Sequence, residues 1–338
     1  MANLLAGKGS WLANDSRTAL GPGMQQPTDW TAGAVECEDE YTLLAEICLA
    51  EALEPRNLSE AKKRLDWPLW EVVIEEELKT LKEAETWEVV EVPAGVNVIG
   101  SKWVFRAKKD AAGNVVHYRA RLVAQGFTQV PGVDYFDTFA PVARLASIHT
   151  VLAFAAAEDY DTGQIDIKAA YLNGELTEDE RIYMKQAPGY EEPGEQGKVA
   201  VYRLKKSLYG LKQAGRRWYQ RLVEIMTVLG FSRCEVDQVV FYRRCEGMGV
   251  LIIVLVHVND CTIVGKGQGL ITRFKVEIAK HVGITDLGDL HWILGIEILR
   301  IREERRILLS QRSYIDSILC CYGFEDLKPV STPMDANT

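Results

Sequence analysis

The chain has 338 residues, with 48 acidic and 39 basic side chains, a net charge of −9 and 47% apolar residues. That is long enough to bury a sizeable core; no apolar run reaches the roughly 18 residues a membrane span needs, so no membrane partner is expected. Seven cysteines without a Cys-x-x-Cys pair argue against a disulfide framework or zinc knuckle and for a reducing, intracellular setting, and the start Met1-Ala-Asn-Leu-Leu-Ala lacks the basic and apolar regions of a secretion signal.

Residues 1–53 mix Gly, Ser, Asn, Pro and Thr and then turn acidic, which predicts a loosely ordered arm with a short helix over Tyr41–Leu53. From Trp67 the apolar residues Trp70, Val73, Ile74, Leu78 and Leu81 recur at helical spacing. Thr86–Val92 alternates as a strand, closed by Pro93-Ala-Gly95. Ile99–Lys109 and Val115–Ala124 flank a turn at Asp110–Gly113 and predict a β-hairpin. It carries Lys102, Arg106, Lys108, Lys109, Arg119 and Arg121 against one acid, Asp110, a pattern that by itself reads as a solvated charged face. Leu145–Ala157 predicts a buried helix.

Gln164-Ile-Asp-Ile-Lys-Ala-Ala-Tyr-Leu-Asn-Gly174 places Asp166 in a short strand between isoleucines, with Tyr171 five residues on and a strand at Ile182–Met184 after an acidic loop. From Arg203 to Arg221 seven basic residues occur with no acid, and Trp218 and Tyr219 lie among them. A basic helix with interleaved aromatics suits a nucleic-acid groove, charge holding phosphates and rings stacking on bases. Leu251–Gly265 is an apolar, β-branched run broken by His257, Asn259 and Asp260, the pattern of a hairpin with a polar tip. An Asn-Asp turn is common chemistry for reversing a chain. Two strands that present Asp166 and Asp260 side by side would instead hold a hard divalent cation. Phe274–Val282 predicts an amphipathic helix, Asp286–Ile298 a strand and turn, and Leu308–Leu319 the start of a further element.

Several of these stretches read together as one family. Lys102-Trp-Val-Phe, Ala120-Arg-Leu-Val-Ala-Gln-Gly-Phe-Thr-Gln129, Asp134-Tyr-Phe-Asp-Thr-Phe-Ala-Pro-Val142 and Lys206-Ser-Leu-Tyr-Gly-Leu-Lys-Gln-Ala-Gly-Arg216 closely resemble copia-type retrotransposon reverse transcriptases, over roughly residues 54–335. The family's Tyr-Val-Asp-Asp reads here His257-Val-Asn-Asp260, and Gly215 stands where the family has proline. The resemblance implies an α+β right-hand polymerase. Residues 1–53 are then the arm, 54–306 the fingers and palm, and 307–338 the start of a thumb, with connection and ribonuclease H regions beyond it.

It also implies two magnesium ions, with Asp166 bridging both, Asn259 at the position that completes the cage, and Asp260 supporting it. Arg119 and Arg121 would contact the triphosphate, Tyr171 would lie under the sugar, and Gly210 would let the backbone approach the template base pair. Lys212, Arg216, Arg217 and Trp218 would line the nucleic-acid groove, and Leu294 and Gly295 would grip the primer end. The expected partners are an RNA or DNA template with its primer and deoxynucleoside triphosphates. Asn259 brings no charge to a cage in which one charge about 4 Å from a dication is worth about 8 kcal/mol at an effective dielectric near 20. The sequence therefore implies an impaired, magnesium-dependent RNA-directed DNA polymerase, with a non-catalytic nucleic-acid-binding remnant as the alternative.

Overall fold

Helical spacing and strand alternation both become packed elements in the computed structural model, which describes residues 54–109, 115–194, 199–245, 249–324 and 326–327. The expected arm at 1–53 with its helix at Tyr41–Leu53, and the turn at Asp110–Gly113, lie outside the described residues. Helix α1, Trp67–Glu83, starts with proline in its first turn and buries Trp70, Ile74, Leu78 and Leu81. Proline is tolerated there because a first-turn N–H has no helical acceptor. Strands β1 (Trp87–Glu91) and β2 (Val98–Ile99) follow, then the hairpin of β3 (Ser101–Lys109) and β4 (Val115–Ala124). The hairpin's inner face meets α1, where the Trp70 ring packs edge-on against Phe105 and Tyr118 at 5.2 and 4.6 Å. Truncating so large a buried ring costs about 3–5 kcal/mol.

Helix α2, Leu145–Ala157, matches the expected bounds. It is followed by β5 (Asp161–Ile167), β6 (Tyr183–Met184), β7 (Ala200–Leu204) and helix α3 (Ala214–Val228). Next come β8 (Ser232–Arg233), β9 (Val240–Cys245), β10 (Gly249–His257) and β11 (Asp260–Gly265). Helix α4 (Gln268–Ile278), β12 (Ile284–Gly288), β13 (Trp292–Ile293), β14 (Ile296–Ile301), β15 (Arg306–Ser310) and helix α5 (Arg312–Cys321) complete the described chain. The central sheet has the order β12-β5-β11-β10-β9-β8, and a smaller sheet the order β1-β7-β6-β2.

Period-two alternation gives the central sheet two faces. Ile165, Ile167, Val254, Val256, Cys261 and Ile263 point to one side, against Trp218, Leu222 and Met226 of α3 and Ile271, Phe274 and Ile278 of α4. Leu255 and Val264 point to the other, against Ile148, Leu152 and Ala155 of α2 and Ile293 and Ile298 of the third sheet. That sheet, β13-β14-β15, is tied to the C-terminal end of α2 by Arg300, which donates to the Tyr160 carbonyl and pairs with Asp159 at 2.9 Å. A cation is favourable at that end of a helix dipole.

Two expectations need correction. The basic run from Arg203 is not one helix: Arg203 lies in β7, and α3 begins only at Ala214. The run Leu308–Leu319 is likewise divided, because Leu308–Ser310 pairs with β14 before α5 starts. All described residues belong to one compact unit, and the boundary expected at 306/307 falls inside β15. Among the described residues no helix is long and apolar enough to cross a membrane.

The ion pair between Lys275 of α4 and Asp286 of β12 gives one pH expectation. Lys275 is 9% exposed and also reaches the Gly288 carbonyl at 3.3 Å. The Lys275 hydrogen bond, followed by the Gly288 N–H, holds the Asp286 carboxyl below its ordinary range. A lowered folded value means stability that is present above the unfolded value near pH 4 and lost as the pH falls through the folded one. Asp286→Asn should therefore lower stability by about 1–2 kcal/mol at pH 7, a figure discounted because Asp286 is largely exposed. The difference from the parent chain should vanish in urea titrations near pH 2.

Candidate active site

The carboxylates come together through strand register. His257 pairs with Asp260, Asp260 with Asp166, and Asp166 with Thr285, so four strands contribute one lateral row on one face. Directly opposed residues in an antiparallel pair lie about 4.5–5.5 Å apart at Cα, which puts the Asp166 and Asp260 side chains next to each other. The turn is Val258-Asn259, with Asp260 already on the returning strand; the sequence reading had set the turn one residue later. Val258 has φ +60, a strained backbone for a β-branched residue. In a two-residue hairpin turn the first position at positive φ is normally glycine.

Asn259 donates its side-chain amide to Asp166 Oδ1. Gln164, two residues before Asp166 and so on the same face, donates to Asp260 Oδ1 at 2.7 Å. Burial pushes the Asp260 carboxyl up, and the Asp166 charge adds to this; the Gln164 hydrogen bond and His257 act against it. Each carboxylate thus already accepts a neutral amide. Among the described residues no group of three or more His, Cys, Asp or Glu side chains is arranged to hold a metal ion. This donor set fits one hard dication between two carboxylates, and it falls short of a cage charged by three.

Two of the expected nucleotide residues, Arg121 and Tyr171, meet through Tyr209. The Arg121 guanidinium lies over the Tyr209 ring at 4.6 Å, and Tyr209 packs edge-on against Tyr171 at 4.9 Å. Arg121 Nε is buried and has no hydrogen-bond partner among the described residues. Arg119 is exposed on the same hairpin face. Both arginines also act on Glu77 of α1, whose carboxyl burial pushes up and they pull down. Tyr209 stood in the quoted motif beside Gly210, and only the fold shows that it joins Arg121 to Tyr171.

Gly210 has φ +94, and a Cβ there would lie 2.0 Å from the Ala124 carbonyl oxygen. The glycine is required by contact with the end of β4, where the Ala124 N–H donates to the Tyr209 carbonyl at 2.8 Å. That requirement comes from the protein's own backbone; the expected approach to a template base pair is not needed to explain it. Leu294 and Gly295 form the two-residue turn between β13 and β14, at φ +50 and +78. No described hydrogen bond or ion pair links them to the carboxylate row.

The basic segment is neutralised from elsewhere in the chain. Arg203 and Lys205 pair with Glu88 at 2.9 and 3.4 Å, Arg216 with Asp137 at 2.8 Å, and Arg221 with Glu224 at 3.0 Å. Arg217 pairs with Glu180 at 2.6 Å, where Glu180 is 2% exposed. Lys206 and Lys212 make no ion pair among the described residues, and Lys212 is exposed. Trp218 does not present its ring for stacking: it is 2% exposed and donates its indole N–H to the Val258 carbonyl at 2.6 Å. Exposed rings on the 125–144 segment, next to Lys212, are Phe127, Phe136 and Phe139, at 74%, 64% and 66%. They sit on a loop held by Gln129, which accepts the Lys212 N–H at 2.8 Å, and by the buried Asp134. A cavity of about 670 Å³ lined by Val98, Ser101, Gln186 and Val201 contains none of these residues.

The facing carboxylates stand on a mixed α/β scaffold, and Arg121, Tyr209 and Tyr171 form a second, contiguous cluster. The family described as "Reverse transcriptase (RNA-dependent DNA polymerase)" matches residues 84–336, and the chain belongs to it. The Retrovirus-related Pol polyprotein from transposon TNT 1-94 of Nicotiana tabacum is 38% identical over 288 residues, 85% of this chain and 21% of that protein. Those from transposons RE1 and RE2 of Arabidopsis thaliana are each 34% identical, over 90% and 85% of this chain and 20% and 19% of theirs. This is a copia-type reverse transcriptase domain, and it spans about a fifth of the length of these relatives.

Proposed function

We propose that the chain is the fingers and palm of a copia-type reverse transcriptase that extends a primer 3′-hydroxyl on an RNA or DNA template, slowly because of Asn259. The observation that carries this is the lateral row His257-Asp260-Asp166, with Asn259 hydrogen-bonded to Asp166. In this reading the central sheet with α2, α3 and α4 is the palm. The β3–β4 hairpin and the smaller sheet are the fingers, and a thumb begins at α5 rather than at residue 307. An intracellular setting goes with the reading. A remnant without turnover is not favoured, since Asp166, Asp260, Tyr171, Arg119 and Arg121 are kept.

Asp166 and Asp260 would hold a magnesium ion. When bound, such an ion neutralises phosphoryl charge and lowers the pKa of a coordinated hydroxyl. Arg121, held over the Tyr209 ring, offers a planar fork to triphosphate oxygens. Tyr171, its hydroxyl pushed up by burial and then by Tyr209, stays neutral and presents a ring edge to the sugar. The test is single-nucleotide addition to a DNA primer on an RNA template; slow, magnesium-dependent addition by the parent chain is expected. Tight primer-template binding with no addition in either magnesium or manganese would refute a polymerase.

The nucleic-acid interface is assigned to the side chains that reach solvent. Replacing Phe127, Phe136 and Phe139 together with alanine should weaken binding of a single-stranded template overhang about thirtyfold, the loss of stacking under one or two bases. The salt dependence should stay unchanged, because no charge is removed. Lys212→Glu should instead flatten the salt slope by about one to two counterions. Fluorescence anisotropy across a salt series separates the two effects.

A further inference from the structure

Two carbonyls of the strained turn are caught from below. The Ile167 N–H donates to the Asn259 carbonyl at 2.7 Å, and the Trp218 indole N–H to the Val258 carbonyl at 2.6 Å. Trp218 itself is tightly located. A Cβ on Gly174 would lie 2.8 Å from the Trp218 backbone nitrogen, so only glycine lets that segment press on α3 at this point. The neighbouring Arg217 is locked to the buried Glu180. The indole is therefore a rigid post rather than a side chain that follows the turn.

We infer that Trp218 is a positioning residue for the active-site turn: its N–H holds Val258 at positive φ and so keeps the Asn259 amide against Asp166. A valine in the left-handed region relaxes when given the chance, and relaxation would rotate the following peptide and carry the Asn259 side chain away from the carboxylate row. The consequence for catalysis rests on the polymerase reading above; the geometry of the turn does not. Trp218 touches no reacting atom and acts only through Val258.

The test reads the turn directly, by amide hydrogen exchange at Ile167 relative to amides of β10 and β11 remote from the turn. Trp218→Phe keeps most of the ring and removes the donor, and should speed exchange at Ile167 about tenfold more than at the remote amides. Leu222→Ala, on the same buried face of α3 without contact to the turn, should speed all of them alike. Adding Val258→Gly to Trp218→Phe should return Ile167 to within about twofold of Val258→Gly alone, since glycine takes positive φ without strain. If Trp218→Phe affects Ile167 no more than Leu222→Ala does, or if glycine fails to rescue it, the inference is wrong. Should Trp218→Phe alone not fold, folding of the double variant supports the inference, and its failure to fold overturns it. None of these outcomes depends on polymerase activity.

Discussion

Asn259→Asp is expected to raise magnesium-dependent nucleotide addition about a thousandfold. In the parent chain the Asn259 side-chain amide donates to Asp166. That hydrogen bond calms the carboxylate row without a cation, and it occupies an oxygen that a metal needs. An aspartate would instead set two negative groups together, repelling by about 2–4 kcal/mol at an effective dielectric near 20. A dication removes that repulsion and gains attraction. One charge about 4 Å from it is worth about 8 kcal/mol, and recovering half of this in the transition state gives roughly three orders of magnitude in rate. Thermal stability gives a second readout. Without divalent ions the variant should melt below the parent chain, and magnesium should restore it, because a ligand that binds only the folded state stabilises it. A melting temperature that ignores magnesium would show that residue 259 does not face the ion.

Gly210→Ala should cost about 4 kcal/mol in stability, a large share of the roughly 5–15 kcal/mol a domain has to lose. Two independent terms add. The backbone is at φ +94, which an L side chain rarely adopts, at about 1–3 kcal/mol. The new Cβ would also meet the Ala124 carbonyl oxygen at 2.0 Å and Val123 Cγ1 at 2.7 Å, and overpacking costs about 1–3 kcal/mol more. The valine methyl can move, but the carbonyl belongs to a strand end that also receives the Tyr209 bond, so relief would pull Tyr209 off Arg121. Guanidinium unfolding should show the loss. A variant as stable as the parent would mean that β4 and the Tyr209–Gly210 segment are not in contact.

What the sequence made legible follows periodicity. The burial of Trp70, Ile74, Leu78 and Leu81 needed only a 3.6-residue repeat, and Asp166 and Asp260 were readable as strand-borne carboxylates with their neighbours in a known pattern. The burial of Trp218 is legible in the same way. Ala214, Trp218, Leu222 and Ile225 share one buried stripe of α3, so spacing put the ring in the core while composition suggested a groove. The neutralised arginines were not legible, since their partners lie far off in sequence, Glu180 for Arg217 and Glu88 for Arg203. Nor was the strained turn: a β-branched residue at positive φ breaks local preference, as happens where a site is held by its surroundings.

The central claim, that the Asp166–Asp260 row is a polymerase site weakened at residue 259, is tested most directly by single-turnover addition of one deoxynucleotide with magnesium. Three chains held saturated with primer-template are compared: the parent, Asn259→Asp, and Asn259→Asp combined with Asp166→Asn. The expected results are slow addition, addition about a thousandfold faster, and a return to the parent rate or below. Equal rates for the parent and Asn259→Asp, or fast addition that survives loss of Asp166, would contradict it.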